Sequence, residues 1–171
     1  MPHLVVSPLS GLAETAKAHE AREMITLLSA PATLVPPPEI RPGRHLFIDI
    51  NDISAKAEGL RAPEVHHIEE IVAFAERWDR SSPLLVHCWM GISRSTAAAY
   101  IIALALNRQA DEMGHALMLR RRAPSATPNA RMIALADSLL ERDGRMINAI
   151  KRIGRGAEAS EGKPFVLPLD G

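Results

Sequence analysis

The chain has 171 residues, and its 20 Lys and Arg are cancelled by 20 Asp and Glu, a size that fits one domain able to fold alone. With no net field, neither nucleic acid nor an anionic membrane is an expected partner, and the most apolar window, residues 96–106, is far shorter than the roughly 20 residues that cross a bilayer. Residues 1–10 lack the basic stretch and apolar run of a secretory signal, and Cys88 is the single cysteine. An intrachain disulfide is therefore excluded, there is no Cys-based metal cage, and a reducing cytoplasm is the expected location.

In chain order, residues 4–6 read as a short strand. Residues 13–28 read as a helix, because Ile25 and Leu28 follow a run of alanines at helical spacing. Residues 33–35 are a candidate strand stopped by Pro36, Pro37 and Pro38, and Pro42 with Gly43 marks a turn before residues 45–50. That segment is nearly continuous in apolar residues, as a strand covered on both faces should be. Pro63 and Glu64 suit the first turn of a helix that puts Val65, Ile68, Val72, Ala75 and Trp78 on one face. Residues 84–86 form a short buried strand running into His87 and Cys88, and a helix apolar nearly all round starts near Ser95. Residues 110–121 and 128–140 read as further helices, the second with Thr127 as cap and Pro128 in its first position. The expectation is an α/β fold with a central, mostly parallel sheet of four to five strands flanked by helices. One domain is expected over residues 1–153, followed by an irregular tail, residues 154–171, where Gly154, Gly156, Gly162 and Pro164 interrupt any pattern.

The chemistry concentrates in His87-Cys88-Trp89-Met90-Gly91-Ile92-Ser93-Arg94-Ser95, between a buried strand and a helix. In a loop entering a helix, successive backbone N–H groups can converge on one concavity and, with the helix dipole, bind a phosphate dianion. Gly91 lets the backbone turn there without steric penalty. A thiol in such a positive field ionises more readily than a free one. The planar, permanently charged guanidinium of Arg94 can grip two phosphate oxygens at once.

This stretch resembles the signature loop of the protein tyrosine phosphatase superfamily: His-Cys, five residues, then Arg and Ser or Thr. His, Cys, Gly, Arg and Ser at these offsets arise by chance in on the order of one chain in 10⁵ of this length. The resemblance is to a compact dual-specificity member, with the phosphatase loop between a central strand and a helix. It implies that Cys88 attacks phosphorus to give a phosphocysteine, which water then hydrolyses, without cofactor or metal. It further implies that the loop residues Trp89, Met90, Gly91, Ile92 and Ser93 surround the phosphate with Arg94, that Ser95 hydrogen-bonds the sulfur, and that His87 supports loop and thiolate. Asp52, after the strand at residues 45–50, matches the family's proton donor and later base; Asp49, inside the strand, is the competitor and reads as structural. Asn129, in Arg122-Ala123-Pro124-Ser125-Ala126-Thr127-Pro128-Asn129, matches a residue that braces the loop. The implied substrate is a phosphorylated protein or another phosphomonoester.

Plainer readings exist for each residue. Cys88 can be an inert core cysteine, Ser95 a helix cap, Asp52 a turn residue and Asn129 a polar first-turn residue. His66 and His67 beside Glu69 and Glu70 read as a solvated helix face rather than a metal site. Arg120, Arg121 and Arg122 read as a helix end meeting dipole and solvent, and Trp89 either flanks the pocket or packs on a neighbouring loop. Two other functions compete with the phosphatase: a rhodanese-like sulfurtransferase, which needs neither Asp52 nor Ser95, and a catalytically silent phosphate-binding module.

Overall fold

The structure is a computed structural model that describes residues 1–30 and 32–170. Four strands, β1 (His3–Ser7), β2 (Glu23–Leu28), β3 (His45–Asp49) and β4 (Leu84–His87), pair in parallel. A fifth, β5 (Phe165–Pro168), lies antiparallel along β1, giving the sheet order β3-β2-β4-β1-β5. The expected class, a mostly parallel sheet flanked by helices, is the one observed. Strand residues alternate between two apolar layers, as the pleat requires. Leu4, Val6, Ile25, Leu27, Leu84 and Val86 face the larger core, while Val5, Met24 and Leu85 face a smaller one under α1 (Leu12–Ala18).

The larger core is covered by α2 (Val65–Glu76), α3 (Arg94–Leu106), α4 (Glu112–Arg122), α5 (Ala130–Leu139) and α6 (Arg145–Ile153). Every residue of α3 from Arg94 to Leu104 is buried, which explains why this helix is apolar on all sides. Its alanines let the surrounding helices and the sheet approach closely. Tyr100 points its hydroxyl to the Glu112 carbonyl at 2.9 Å, so its polar tip is satisfied.

Several local expectations fail for identifiable reasons. Residues 13–28 are not one helix: α1 stops at Ala18, Glu20 turns the chain at φ 50°, and β2 occupies residues 23–28 as a wholly buried strand. Apolar residues spaced for a helix also suit a strand covered on both faces, and the β-branched pair Ile25-Thr26 favours the latter. Residues 33–35 form no strand; the three prolines that follow have no N–H to give a ladder. In α2, Glu64 is the N-cap, held by its own N–H on His67 Nδ1 at 2.9 Å, and Val65 is exposed rather than on the buried face. In α5 the cap is Asn129, whose side chain accepts the Met132 N–H at 3.0 Å, so the helix starts two residues later than Thr127 and Pro128 suggest.

Two elements lie outside the sequence expectations, although Met146, Ala149, Ile150 and Ile153 of the first do recur at helical spacing. Helix α6 is capped from another helix: the Asp137 carboxylate of α5 accepts the N–H groups of Gly144 at 2.7 Å and Met146 at 2.9 Å. The C-terminal segment, expected to be irregular, carries β5 and is tied down along its length. Arg120 donates to the Gly154 carbonyl at 2.7 Å and also to those of Pro124 and Ala126. This arginine is therefore an internal staple rather than a solvated helix end.

Candidate active site

Residues 88–93 link β4 to α3, and the orientation of their carbonyls defines the loop. The Cys88 carbonyl accepts from His87 Nδ1 at 3.2 Å, Trp89 from the Leu9 N–H at 3.0 Å, and Met90 from the Gly162 N–H at 2.7 Å. The Ile92 carbonyl accepts from the Thr127 N–H at 2.9 Å and Thr96 Oγ1 at 2.6 Å, and that of Ser93 from the Asn129 N–H at 3.2 Å. The surrounding scaffold thus claims the carbonyls from outside the loop. A turn whose carbonyls are held outward leaves its amides free to turn inward at the amino end of a helix, an arrangement chemically able to hold an anion. Gly91 sits at φ 69°, and a Cβ there would lie 2.8 Å from the Pro8 nitrogen, so both conformation and space exclude a side chain.

Cys88 lies on the floor of this loop, 2% exposed. Its sulfur accepts the Gly91 N–H at 3.2 Å and lies 3.1 Å from Ser95 Oγ. Ser95 therefore serves the sulfur from inside α3, while the residue at the N-cap position is Ser93. Arg94, 8% exposed, donates from one terminal nitrogen to the Ile50 carbonyl at 2.8 Å. Its Nε has no partner, the single buried side-chain polar atom of the described residues left unsatisfied. A buried donor without a partner costs on the order of 1–3 kcal/mol, and a bound oxyanion is the kind of group that removes the cost.

Behind the loop, His87 is fully buried, and burial pushes its imidazole down to about 4, against the opposing hydrogen bond to the Cys88 carbonyl. It is neutral at physiological pH. Because a carbonyl can only accept, His87 Nδ1 carries the proton and Nε2 is an acceptor. Thr26 Oγ1, 2.7 Å from His87 Nε2, must donate to it, and must then accept from His45 Nε2, also at 2.7 Å. One hydrogen-bond direction thus runs from β3 through β2 to β4 and fixes the ring that holds the Cys88 carbonyl. Neither Thr26 nor His45 was legible from the signature, because they lie on other strands and meet His87 only through sheet register.

Asp52 and Asp49 lie in different surroundings. Asp49 accepts the Ala30 N–H at 3.0 Å and pairs with Arg61 at 2.8 Å. Asp52 is brought to the rim of the loop: its Oδ1 accepts Ser93 Oγ at 2.6 Å and Asn129 Nδ2 at 2.9 Å, with no partner among the described residues on Oδ2. Asn129 also reaches the Ile53 carbonyl at 3.1 Å, so it braces the Asp52 segment with its side chain and the loop with its N–H. Trp89 and Met90 are 53% and 44% exposed, which puts them at the mouth of the loop rather than packed on a neighbour. Beside Asp52 opens a cleft of about 460 Å³, bounded by Ile92, Ser93, Thr127 and the C-terminal residues Arg155 and Gly156.

No protein-family model matches the chain, and no curated protein matches it by sequence. Solved structures do. Human DUSP28 superposes with a TM-score of 0.64 at 20% identity, covering 83% of this chain and 94% of its own. The human tyrosine phosphatase-like serine/threonine/tyrosine-interacting protein gives 0.64 at 19%, covering 84% and 94%. The phosphatase domain of Yvh1 from Chaetomium thermophilum gives 0.58 at 22%, covering 82% and 92%. The likeness spans nearly the whole of each of these domains and shares their mostly parallel sheet, so the chain has the fold of the compact dual-specificity phosphatases.

Proposed function

We propose that this protein is a cysteine-dependent phosphomonoester hydrolase of the protein-tyrosine and dual-specificity phosphatase type. The observation that carries the reading is the unsatisfied, buried Nε of Arg94 in the loop that holds the Cys88 sulfur. A folded chain retains such a donor where a ligand completes it, and an anion fits both the guanidinium and the surrounding amides.

In this reading Arg94 and the loop amides hold three phosphoryl oxygens, with the Cys88 thiolate in line with the leaving oxygen. Sulfur attacks phosphorus, the P–O bond to the leaving group breaks, and Asp52 protonates the departing oxygen. With Oδ1 occupied by the Ser93 and Asn129 donors, the transferable proton sits on Oδ2. The ionised Asp52 then takes a proton from water as it attacks the phosphocysteine. The Ser95 hydroxyl beside the sulfur stabilises the thiolate as it leaves. The amides act in both steps because they face the equatorial oxygens, where negative charge is held in the transition state. The substrate is a phosphorylated protein or another phosphomonoester, and the cleft beside Asp52 takes the part beyond the leaving oxygen. A free catalytic thiol of this kind works in a reducing compartment such as the cytoplasm.

The test is release of inorganic phosphate from p-nitrophenyl phosphate and a panel of phosphotyrosyl, phosphoseryl and phosphothreonyl peptides, with Cys88→Ser alongside. Turnover by the parent, lost by at least a thousandfold in Cys88→Ser while tungstate still binds, is the expected result. Tungstate binding without any phosphate release identifies a silent binding module instead, and persulfide formation from thiosulfate identifies a sulfurtransferase.

A further inference from the structure

The C-terminal segment is joined to the phosphate loop by backbone contact on two sides. The Gly162 N–H donates to the Met90 carbonyl at 2.7 Å. Six residues earlier, the Gly156 N–H donates to Thr127 Oγ1 at 3.0 Å, and the Thr127 N–H in turn holds the Ile92 carbonyl. The two loop carbonyls flanking Gly91, at positions 90 and 92, therefore depend directly or at one remove on this segment. Its far end is β5, paired to β1, and β1 runs on into Pro8, whose backbone closes the other side of Gly91. The tip of the loop is held between Pro8 and Gly162.

Both glycines of the segment are required for contact rather than for conformation, because neither has a positive φ. A Cβ on Gly162 would lie 2.6 Å from the Gly91 carbonyl oxygen, and one on Gly156 would lie 2.4 Å from the Ser125 carbonyl carbon. These neighbours are backbone and cannot turn aside as a flexible side chain can. The approach is reinforced next to Gly162, where Ser10 Oγ donates to Glu161 Oε2 at 2.8 Å across a sequence separation of 151.

We infer that residues 156–162 are a positioning strap for the phosphate loop, with Gly162 as its working contact: the strap holds the Met90 carbonyl outward so that the loop amides stay aimed at the bound oxyanion. The inference concerns the site assigned under the proposed function but needs no turnover to be tested. In Gly162→Ala, the Gly91 carbonyl must retreat by roughly 0.8 Å to reach ordinary contact, and a misplacement of that size at a reacting centre costs about tenfold or more.

The experiment measures tungstate affinity by calorimetry and the pH midpoint of Cys88 alkylation by iodoacetamide. The proteins are the parent, Gly162→Ala, Ser10→Ala and Val166→Ala, and thermal midpoints are recorded for each. Gly162→Ala should bind tungstate about tenfold more weakly and shift the alkylation midpoint upward, as amides turn from the sulfur. Ser10→Ala, which loosens the strap without a steric clash, should move both in the same direction by about two- to threefold in affinity; it serves equally if Gly162→Ala does not fold. Val166→Ala weakens the packing of β5 without touching the loop, and should lower the thermal midpoint while leaving both readouts at parental values. Parental affinity and midpoint in Ser10→Ala and in any folded Gly162→Ala overturn the inference, as does an equal shift in Val166→Ala. Absence of phosphate release by the parent defeats the proposed function, whereas these titrations judge the strap independently.

Discussion

Replacing His87 with Asn should flatten the acid side of the stability profile. Burial holds the folded imidazole neutral down to about pH 4, whereas an imidazole in the unfolded chain takes up its proton near 6.5. Below that higher value the unfolded state binds a proton that the folded state refuses, so the free energy of unfolding falls by about 1.36 kcal/mol for each pH unit. The contribution is complete above pH 6.5, is lost as pH drops towards 4, and amounts to about 3 kcal/mol over the whole interval. That is a large part of the 5–15 kcal/mol typical of a domain. Burial also lowers the values of His45 and His67. Their contributions have the same sign, but both residues remain in the variant, so the difference between the two proteins isolates His87. Urea unfolding at half-unit steps from pH 7.5 to 4.5, fitted with a common m-value, gives that difference directly. The stability advantage of the parent over His87→Asn should shrink steadily as pH falls. A difference that stays constant across the range would refute a neutral, buried His87 and the Thr26 and His45 tautomers derived from it.

Further outcomes follow from single contacts. Asp52→Ala should slow alkyl phosphates by about a hundredfold or more, yet aryl phosphates far less, since a phenolate needs less help to leave; steady-state rates on paired substrates measure the contrast, and an equal loss in Asp49→Ala would reverse the assignment. Asn129→Ala removes the cap of α5 and one of the two donors to Asp52. It should cost about 1 kcal/mol in urea unfolding and should also reduce turnover of alkyl more than aryl esters. Arg142→Leu leaves Glu112 with only Arg145 and removes a donor from the carbonyls of Leu104, Asn107 and Ala110. Because both members of the pair are buried, its unfolding free energy should drop by about 3–5 kcal/mol.

What the sequence disclosed follows from how local each feature is. The residues at positions 87–95 act on one another within one turn of chain, so their identity and spacing already express the chemistry. Asp52 was reachable because it follows a strand that its own apolar run announces. The supports of the loop were not, since Thr26, Leu9 and Gly162 meet it only after the sheet has set its register and no pattern within their own segments marks them. The same distinction explains β2, where a six-residue run carries no period that separates helix from strand, and the start of α6, whose cap is lent by Asp137 of another helix although its apolar residues recur at helical spacing. The C-terminal glycines misled in a specific way. Glycine was read as looseness, whereas at positions 156 and 162 it permits backbone to touch backbone, a use visible only once the opposing chain is in place.

Burying the Arg94 guanidinium with its Nε unpaired is unfavourable for the fold. The chain offsets that cost around the site rather than within it. Helix α3 is buried from Arg94 to Leu104, and the carbonyls of Cys88, Trp89, Met90, Ile92 and Ser93 receive donors from His87, the residue after Pro8, the strap, the α4–α5 connection or α3 itself. Each of those bonds holds only while the loop keeps its present shape, so its collapse would strand groups on several elements at once. In the function proposed above, the site is organised before its ligand, and a bound oxyanion gives the Arg94 Nε its partner. Preorganisation of this kind is worth most where negative charge must be held in place through two successive steps at the same atom, which is the demand that the proposed hydrolysis through a phosphocysteine would make.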